Sequence, residues 1–218
     1  MNPRSFGSGT VKPMASRRGR DVTDIFVIDI ETTGLNPFED EVLEIGIVRI
    51  DKARNISGKF SSLVWPGEEV FSLPETARAL AFKNRHKIDF INAPSPEEVA
   101  KATMAFIGDW KDTLITSFNV QFERGFLRRK AWQRIGKGYP WSVSLMDQCS
   151  NIMGPAGSPC CSWNEVRKAY NWPRLTEAAH YFGVSYDPRS RHSALHDAEV
   201  SAGIYLKVFE HGGIEDEL

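Results

Sequence analysis

Two acidic residues stand close together directly after an apolar run of the chain. Asp29 and Glu31 follow Ile25-Phe26-Val27-Ile28, whose β-branched and aromatic residues are typical of a buried strand. Side chains two apart on a strand point to the same side, so both carboxylates project together and repel each other. A hard cation such as Mg²⁺ or Mn²⁺ removes that repulsion. The spacing therefore favours a metal site, although a solvated strand end is the other interpretation of an isolated Asp-x-Glu.

A histidine and a further acid lie near the other end of the sequence. His192 precedes Asp197 in the stretch His192-Ser193-Ala194-Leu195-His196-Asp197. Hydrolysis assisted by a metal ion needs a base that takes a proton from the attacking water, and histidine titrates in the required range. It also needs carboxylates that hold the metal, and Asp197 can supply one. His196 lies on the same stretch, but no acid or cysteine completes a zinc-binding pattern there.

The Asp29 segment and its neighbours resemble the opening motif of the DEDD superfamily of 3′→5′ exonucleases. Within that superfamily it looks like the proofreading epsilon subunit of bacterial replicative polymerases, RNase T and oligoribonuclease. The matching residues are Asp29-Ile30-Glu31-Thr32-Thr33-Gly34-Leu35 and Val42-Leu43-Glu44-Ile45-Gly46-Ile47-Val48. The stretch from His192 to Asp197 is similar to the His-x-Ala-x-x-Asp signature of the histidine-type branch of that family.

The second motif of the family, Asn-x-x-Phe-Asp-x-x-Phe-Leu, has a counterpart with one departure. The matching residues are Asn119, Phe122, Phe126 and Leu127. Glu123 stands where the family has its second metal-binding aspartate. Glutamate is one methylene longer than aspartate, and Mg²⁺ tolerates misplaced ligands poorly. Glu123 can therefore ligate normally, ligate through water, or weaken the site, and the sequence leaves these three outcomes open.

The resemblance, which runs from about residue 24 to 209, implies a set of site residues. It implies two Mg²⁺ or Mn²⁺ ions held by Asp29, Glu31, Glu123 and Asp197, with His192 as the general base. It also implies a substrate-binding set, which we take to be Thr32, Thr33, Gly34, Leu35, Asn119, Phe122 and Arg191. The expected activity is 3′→5′ hydrolysis of phosphodiester bonds in single-stranded or 3′-ended DNA or RNA.

The order of predicted elements fits the ribonuclease H-like fold that the resemblance implies. Strands are predicted at 24–31, 41–51 and 58–65 as an antiparallel meander, then at 114–118, with a short fifth strand that ends near Met146-Asp147. Helices follow at about 96–110, 121–132, 162–170, 175–182 and 193–209, and residues 135–141 are predicted to form a loop. We expect an α/β protein with a mixed five-stranded sheet and helices on both faces.

Composition limits the class of protein. The chain has 218 residues, 41% of them hydrophobic, and a net charge of −1, so it is not a polycation that coats nucleic acid. No apolar run is long enough for a membrane span, and three cysteines without a pairing pattern favour the cytoplasm. We predict a disordered basic arm at 1–21, an exonuclease domain at 22–210 and an acidic tail at 211–218.

Two other functions remain open at the level of sequence. Glu123 raises the prospect of a catalytically weak member that serves as a nucleic-acid-binding or polymerase-docking module. An RNA-trimming exoribonuclease is the other alternative, because recognition of the 2′-hydroxyl depends on the shape of the pocket. A polymerase or another nucleic-acid-processing protein is an expected partner, and a membrane is not.

Overall fold

The computed structural model describes residues 24–83, 85–154 and 161–210. Its main sheet has four strands in the spatial order β3-β2-β1-β4. Their bounds are β1 Asp24–Thr32, β2 Val42–Ile50, β3 Ile56–Leu63 and β4 Thr113–Thr116. The first three strands pair antiparallel, and β4 joins β1 in parallel. The antiparallel meander and the fourth strand are therefore confirmed.

Helices and one small hairpin complete the described part of the chain. The α-helices are α1 Glu68–Phe71, α2 Pro74–Phe82, α3 Pro96–Ile107, α4 Val120–Leu127, α5 Gln133–Gly138, α6 Leu145–Met153, α7 Leu175–Phe182 and α8 Ala194–Glu210. The hairpin consists of β5 Trp163–Asn164 and β6 Ala169–Tyr170. Among these residues, no helix has the length and apolar character needed to cross a membrane.

The two faces of β1 belong to two different parts of the core. Ile25 and Val27 pack against α8 together with residues of β2. Phe26, Ile28 and Ile30 point the other way and pack with residues of α3 and α4. Helices thus cover both faces of a mixed sheet, and the predicted fold class is confirmed.

The fifth strand predicted to end near Met146-Asp147 is wrong. Residues 145–153 form α6, because the buried residues recur at helical spacing; they are Leu145, Met146, Cys149, Ser150 and Met153. What lies beside β4 is a single parallel bridge between Ile115 and Trp141. The described part of the main sheet therefore has four strands, and beside β4 it continues as the bridge between Ile115 and Trp141.

Two further local predictions are also wrong. The helix predicted at 162–170 is the β5–β6 hairpin, in which Asn164 Oδ1 accepts hydrogen bonds from the backbone N–H groups of Val166 and Arg167. Such an Asx turn competes with helix formation. The loop predicted at 135–141 begins as α5, because Ile135 is fully buried there and makes one face of the segment apolar. The predicted arms at 1–21 and 211–218 lie outside the described residues.

Candidate active site

The acidic pair of β1 lies on the face of the sheet that α8 covers. The positions that face α8 are apolar at Ile25 and Val27 and then acidic at Asp29 and Glu31. Asp29 lies opposite Gly46 of β2, and Glu31 lies opposite a third acid, Glu44. Both predicted carboxylates therefore stand at the carboxyl end of a buried strand, beneath the first turn of the last helix.

Gly46 allows α8 to begin this close to the sheet. A Cβ atom at this position would lie only 2.3 Å from the backbone carbon of Ala194. Glu44 then fixes the start of the helix, since its Oε1 accepts hydrogen bonds from the Ser193 hydroxyl at 3.2 Å and the Ala194 N–H at 3.1 Å. Its Oε2 accepts a hydrogen bond from Arg85 at 3.0 Å. The sequence contained Glu44 within the matched motif but gave no reason to assign it this role.

The first turn of α8 brings the histidine and the last acid to β1. Among the residues that the structure describes, Glu31, His192 and Asp197 offer ligand atoms that all lie within 4.8 Å of one another. His192 has a left-handed backbone, with φ of 64°, and its Nδ1 lies 3.7 Å from Glu31 Oε1. Asp197 Oδ1 is buried without a hydrogen-bond partner. A buried carboxylate oxygen that lacks a donor is suited to a cation.

Glu123 lies near the acids of β1 but belongs to α4. It lies in the first turn of α4, whose N-cap is Asn119, and it is 4% exposed. Its Oε2 accepts a hydrogen bond from the Ser117 hydroxyl at 2.9 Å. Burial raises the pKa of Glu123 to about 8, against the opposing effect of its hydrogen bonds. Glu123 therefore stands in the position expected of the second motif, with one carboxylate oxygen already bound within the protein.

The pKa of Asp29 records the crowding of negative charge. Burial raises this pKa well above its ordinary value, and the charge of Glu123 is the next cause, followed by those of Glu31 and Asp197. Burial and the neighbouring Glu31 also raise the pKa of Asp197, to about 6. Acids arranged in this way are poised to release protons when a cation arrives.

Glu31 is the exception among these acids. Burial alone would raise its pKa, but His192 and the Lys83 ammonium act more strongly together and lower it. Lys83 Nζ lies 2.5 Å from Glu31 Oε2 and donates a hydrogen bond to the backbone oxygen of Thr32 at 2.7 Å. No sequence motif linked Lys83 to the acids.

The loop after β1 is held by its own hydrogen bonds. Thr32 donates its hydroxyl to the Gly34 carbonyl at 2.5 Å, and Thr33 donates to Asp40 Oδ1 at 3.0 Å. A Cβ atom at Gly34 would lie 2.5 Å from the Asp40 carboxylate, so this close approach requires glycine. Leu35, at the turn, is 83% exposed. The loop thus presents the apolar side chain of Leu35 to solvent above buried threonines.

The remaining predicted substrate contacts are spread around the site. Asn119 accepts a hydrogen bond from the Phe122 N–H at 3.4 Å and so caps α4, while Phe122 packs on Phe126 with ring centroids 5.0 Å apart. Phe126 is a core residue, as expected. Arg191 is exposed and lines a cleft of about 880 Å³ next to His192. The other basic residues of the cleft are Lys83, Arg85, His86, Arg189 and His196.

Comparisons with known proteins identify the family to which the chain belongs. A family model for exonucleases of the RNase T type matches residues 26–205, which is most of the chain. The epsilon subunit of DNA polymerase III from Aquifex aeolicus is 28% identical over 187 residues, covering 84% of this chain and 79% of that protein. A PolC-type DNA polymerase III from Thermotoga maritima is also 28% identical over 184 residues, but this chain spans only 12% of its length.

Solved structures give the same picture of the fold. E. coli exonuclease I in complex with a dT13 oligonucleotide superimposes with a TM-score of 0.65 at 16% identity, covering 86% of this chain and 41% of that enzyme. Exonuclease I from Methylocaldum szegediense superimposes with a TM-score of 0.66 at 16% identity, covering 86% of this chain and 40% of that enzyme. The chain spans less than half of either structure, so the likeness concerns the fold. Because the family model covers most of the sequence, the chain belongs to the RNase T family of exonucleases and is a hydrolase of the 3′→5′ exonuclease class.

Proposed function

We propose that the protein removes nucleotides from 3′ ends by a two-metal-ion mechanism in which His192 is the general base. The observation that carries the proposal is the convergence of Glu31, His192 and Asp197, with ligand atoms within 4.8 Å, beneath the first turn of α8. Asp29 and Glu123 add two buried carboxyl groups whose charges act on the same site. Acids and an imidazole base at one point provide what metal-assisted hydrolysis requires.

The residues fit Mg²⁺ or Mn²⁺ better than zinc. The ligands proposed to hold two ions are the carboxylates of Asp29, Glu31, Glu123 and Asp197, and hard divalent cations prefer such oxygen atoms. The unpartnered Asp197 Oδ1 and the raised pKa of Asp29 support a cation at this place. When bound, the ions neutralise the acids, make the attacking water more acidic and stabilise charge on the leaving 3′-oxygen.

The side chains around the acids then have distinct tasks. His192 takes the proton from the attacking water, and its place next to Glu31 keeps the imidazole near the acids. Thr32, Thr33 and Gly34 form the rigid loop that holds the terminal nucleotide, while the exposed Leu35 packs against its base. The substrate contacts proposed beyond this loop are Asn119, Phe122 and Arg191, of which Arg191 binds a phosphate.

DNA is the proposed substrate, with a polymerase as the proposed partner, in the cytoplasm. The support is the likeness to the Aquifex aeolicus protein, which is named as a polymerase subunit and of which 79% is covered by this chain. The chain as a whole is proposed to be an exonuclease domain at 22–210 with a basic arm and an acidic tail. Mixing the purified chain with a purified replicative polymerase and measuring co-elution tests the partner.

Labelled oligonucleotides test the activity itself. The purified chain is incubated with DNA and RNA oligomers that carry a label at the 5′ end or at the 3′ end, with Mg²⁺, Mn²⁺ or EDTA. Release of a labelled mononucleotide from the 3′ end, together with stepwise shortening of the 5′-labelled strand, gives the polarity. We expect DNA to be shortened from its 3′ end with either metal and left intact in EDTA. Cleavage that persists in EDTA would contradict the proposal.

A nucleic-acid-binding module without catalysis is the second candidate, and one observation favours it. Glu123 offers a weaker ligand to the site, because one of its oxygens already accepts a hydrogen bond from the Ser117 hydroxyl and burial raises its pKa to about 8. If the natural chain binds DNA but does not cleave it, while the Glu123→Asp variant does cleave it, this candidate is correct. The RNA-trimming alternative is tested by the RNA arms of the same assay.

A further inference from the structure

The last residue of α2, together with Lys83 and Arg85 beyond it, lies over the acidic site. Phe82 packs on the proposed base, with its ring centroid 4.9 Å from that of His192. Lys83 contacts Glu31 and Thr32, and Arg85 contacts Glu44, which lies opposite Glu31 in the sheet. Neighbouring residues of one short segment therefore touch the proposed base, a proposed metal ligand and the acid that fixes α8.

Lys83 is held more closely than a surface lysine. Its side chain is 11% exposed, as is that of Glu31, and the Nζ–Oε2 distance is 2.5 Å. An ammonium group is a compact point charge, so it offsets carboxylate repulsion in the way that a bound cation does. A metal ion and the Lys83 ammonium cannot both occupy the same side of Glu31 Oε2.

The Lys83 ammonium can move into an adjoining cleft when a metal ion binds Glu31. Lys83 also lines the cleft of about 880 Å³ beside His192. Rotation about its four-carbon stem can move the charge from the acids into this cleft without moving the backbone of β1. The Lys83 side chain thus borders both the acids and the cleft that faces solvent.

We propose that Lys83 is a built-in competitor of the metal ions: its ammonium neutralises Glu31 in the metal-free protein, and metal binding displaces it into the cleft. This inference rests on the proposed function and concerns its regulation. The competition raises the metal concentration at which the site fills, because only the fraction of molecules with Glu31 released can bind. If Lys83 occupies Glu31 about nine-tenths of the time, the apparent metal affinity is lowered about tenfold.

Calorimetric titration with Mn²⁺ tests the competition directly on the full chain. We expect Lys83→Met to bind Mn²⁺ on the order of tenfold more tightly than the wild type. Lys83→Arg retains a positive charge and should remain close to the wild type. The matched control is Lys59→Met, which also removes a lysine paired with a glutamate, Glu199, at 2.6 Å, but touches none of the proposed ligands.

The outcomes separate this inference from the proposed function. If Lys83→Met binds no more tightly than the wild type, or if Lys59→Met tightens binding equally, the competition is wrong although the metal site stands. If neither the wild type nor Lys83→Met binds Mn²⁺, the proposed function fails and the inference with it. If circular dichroism shows that Lys83→Met does not fold, Lys83→Gln replaces it in the titration.

Chemical labelling gives a second measurement on the unmodified protein. An amine-reactive reagent is applied with and without Mn²⁺, and the extent of labelling at each lysine is measured by mass spectrometry. We expect labelling of Lys83 to increase several-fold when Mn²⁺ is added, while labelling of Lys59 stays constant. Unchanged or reduced labelling of Lys83 in a protein shown by calorimetry to be saturated with Mn²⁺ would overturn the displacement.

Discussion

Two glutamates of the site have similar burial and opposite electrostatics. Glu31 and Glu123 are 9% and 4% exposed, yet the pKa of Glu31 is lowered whereas that of Glu123 is raised to about 8. The difference lies in their partners, because Lys83 and His192 face Glu31 while a neutral hydroxyl, that of Ser117, faces Glu123. The metal-free site is therefore divided into a charged half, formed by Glu31 and its cationic partners, and a half that favours protonation, formed by Asp29 and Glu123, whose pKa values are raised.

This division shows that burial alone does not decide the charge of a carboxyl group. Burial raises the pKa of both residues, but His192 and Lys83 outweigh that effect at Glu31, whereas the Ser117 hydroxyl only reduces it at Glu123. Metal binding to Asp29 and Glu123 is therefore expected to release protons, whereas binding to Glu31 is expected to displace Lys83. Substitutions at Glu31 and at Glu123 therefore test the two halves separately.

Removal of a carboxylate from β1 should have the largest effect. Asp29→Ala or Glu31→Ala is expected to lower the rate of 3′ nucleotide release more than about 100-fold, because even changes to outer partners of metal ligands cost about 10–100-fold. Neither change opens the core, so circular dichroism should show an intact fold. Nuclease assays at saturating Mg²⁺ provide the measurement, and substantial activity in either variant would refute the ligand assignment.

Loss of the base should come next. His192→Ala is expected to lower the rate by about 10²-fold or more and to flatten the rise of activity with pH in the range where histidine titrates. His196→Ala is the control, since it removes a histidine of the same stretch that packs on Tyr186. Rate profiles against pH for both variants test this. A profile that remains the same in His192→Ala would show that another group activates the water.

Changes at Glu123 probe the half that favours protonation. Glu123→Ala and Glu123→Gln are expected to impair cleavage strongly, whereas Glu123→Asp should keep measurable activity because it restores the shorter acid of the family motif. Mn²⁺ should support the wild type at least as well as Mg²⁺, since Mg²⁺ demands near-ideal octahedral geometry. Rates with each metal give the measurement. Cleavage by Glu123→Ala as fast as by the wild type would remove Glu123 from the ligand set.

The melting temperature in EDTA should change least, and Glu123→Gln and Glu31→Gln should change it in opposite directions. The pKa of Glu123 rises from an ordinary 4.5 to about 8, so its stabilising contribution is complete below the lower value and is lost as the pH passes the higher one. Glu123→Gln should therefore melt like the wild type at acidic pH and higher than it above pH 8.

Glu31 should behave in the opposite way in the same melting experiment. Its pKa is lowered, so its contribution is present above the ordinary value and is lost as the pH falls through the folded value. Glu31→Gln should melt below the wild type at neutral pH. A kcal/mol corresponds to about 2–4 °C in a domain of this size, so both differences are measurable by thermal melts. Equal shifts of one sign would contradict the division of the site.

Much of this arrangement follows from local sequence patterns. The alternation along β1 places Asp29 and Glu31 on one face, and the His192–Asp197 stretch opens the last helix where the motif predicts it. The antiparallel meander of the first three strands is also confirmed. These features depend on residues close together in the chain, so a period of two or of 3.6 residues is sufficient to predict them.

The sequence did not determine the features that depend on distant parts of the chain. The apolar run around Leu145 fits a short strand or a helix, and packing beneath α7 and α8 decided for the helix. Lys83 lies over Glu31 because the fold brings segments that are far apart in the chain to one place, and Ser117 binds Glu123 because of the way the chain turns from β4 into α4. Such contacts have no signature in spacing or periodicity. The sequence by itself thus determined which acids and which histidine are available, and only the tertiary structure decided which of them are charged and by what partner.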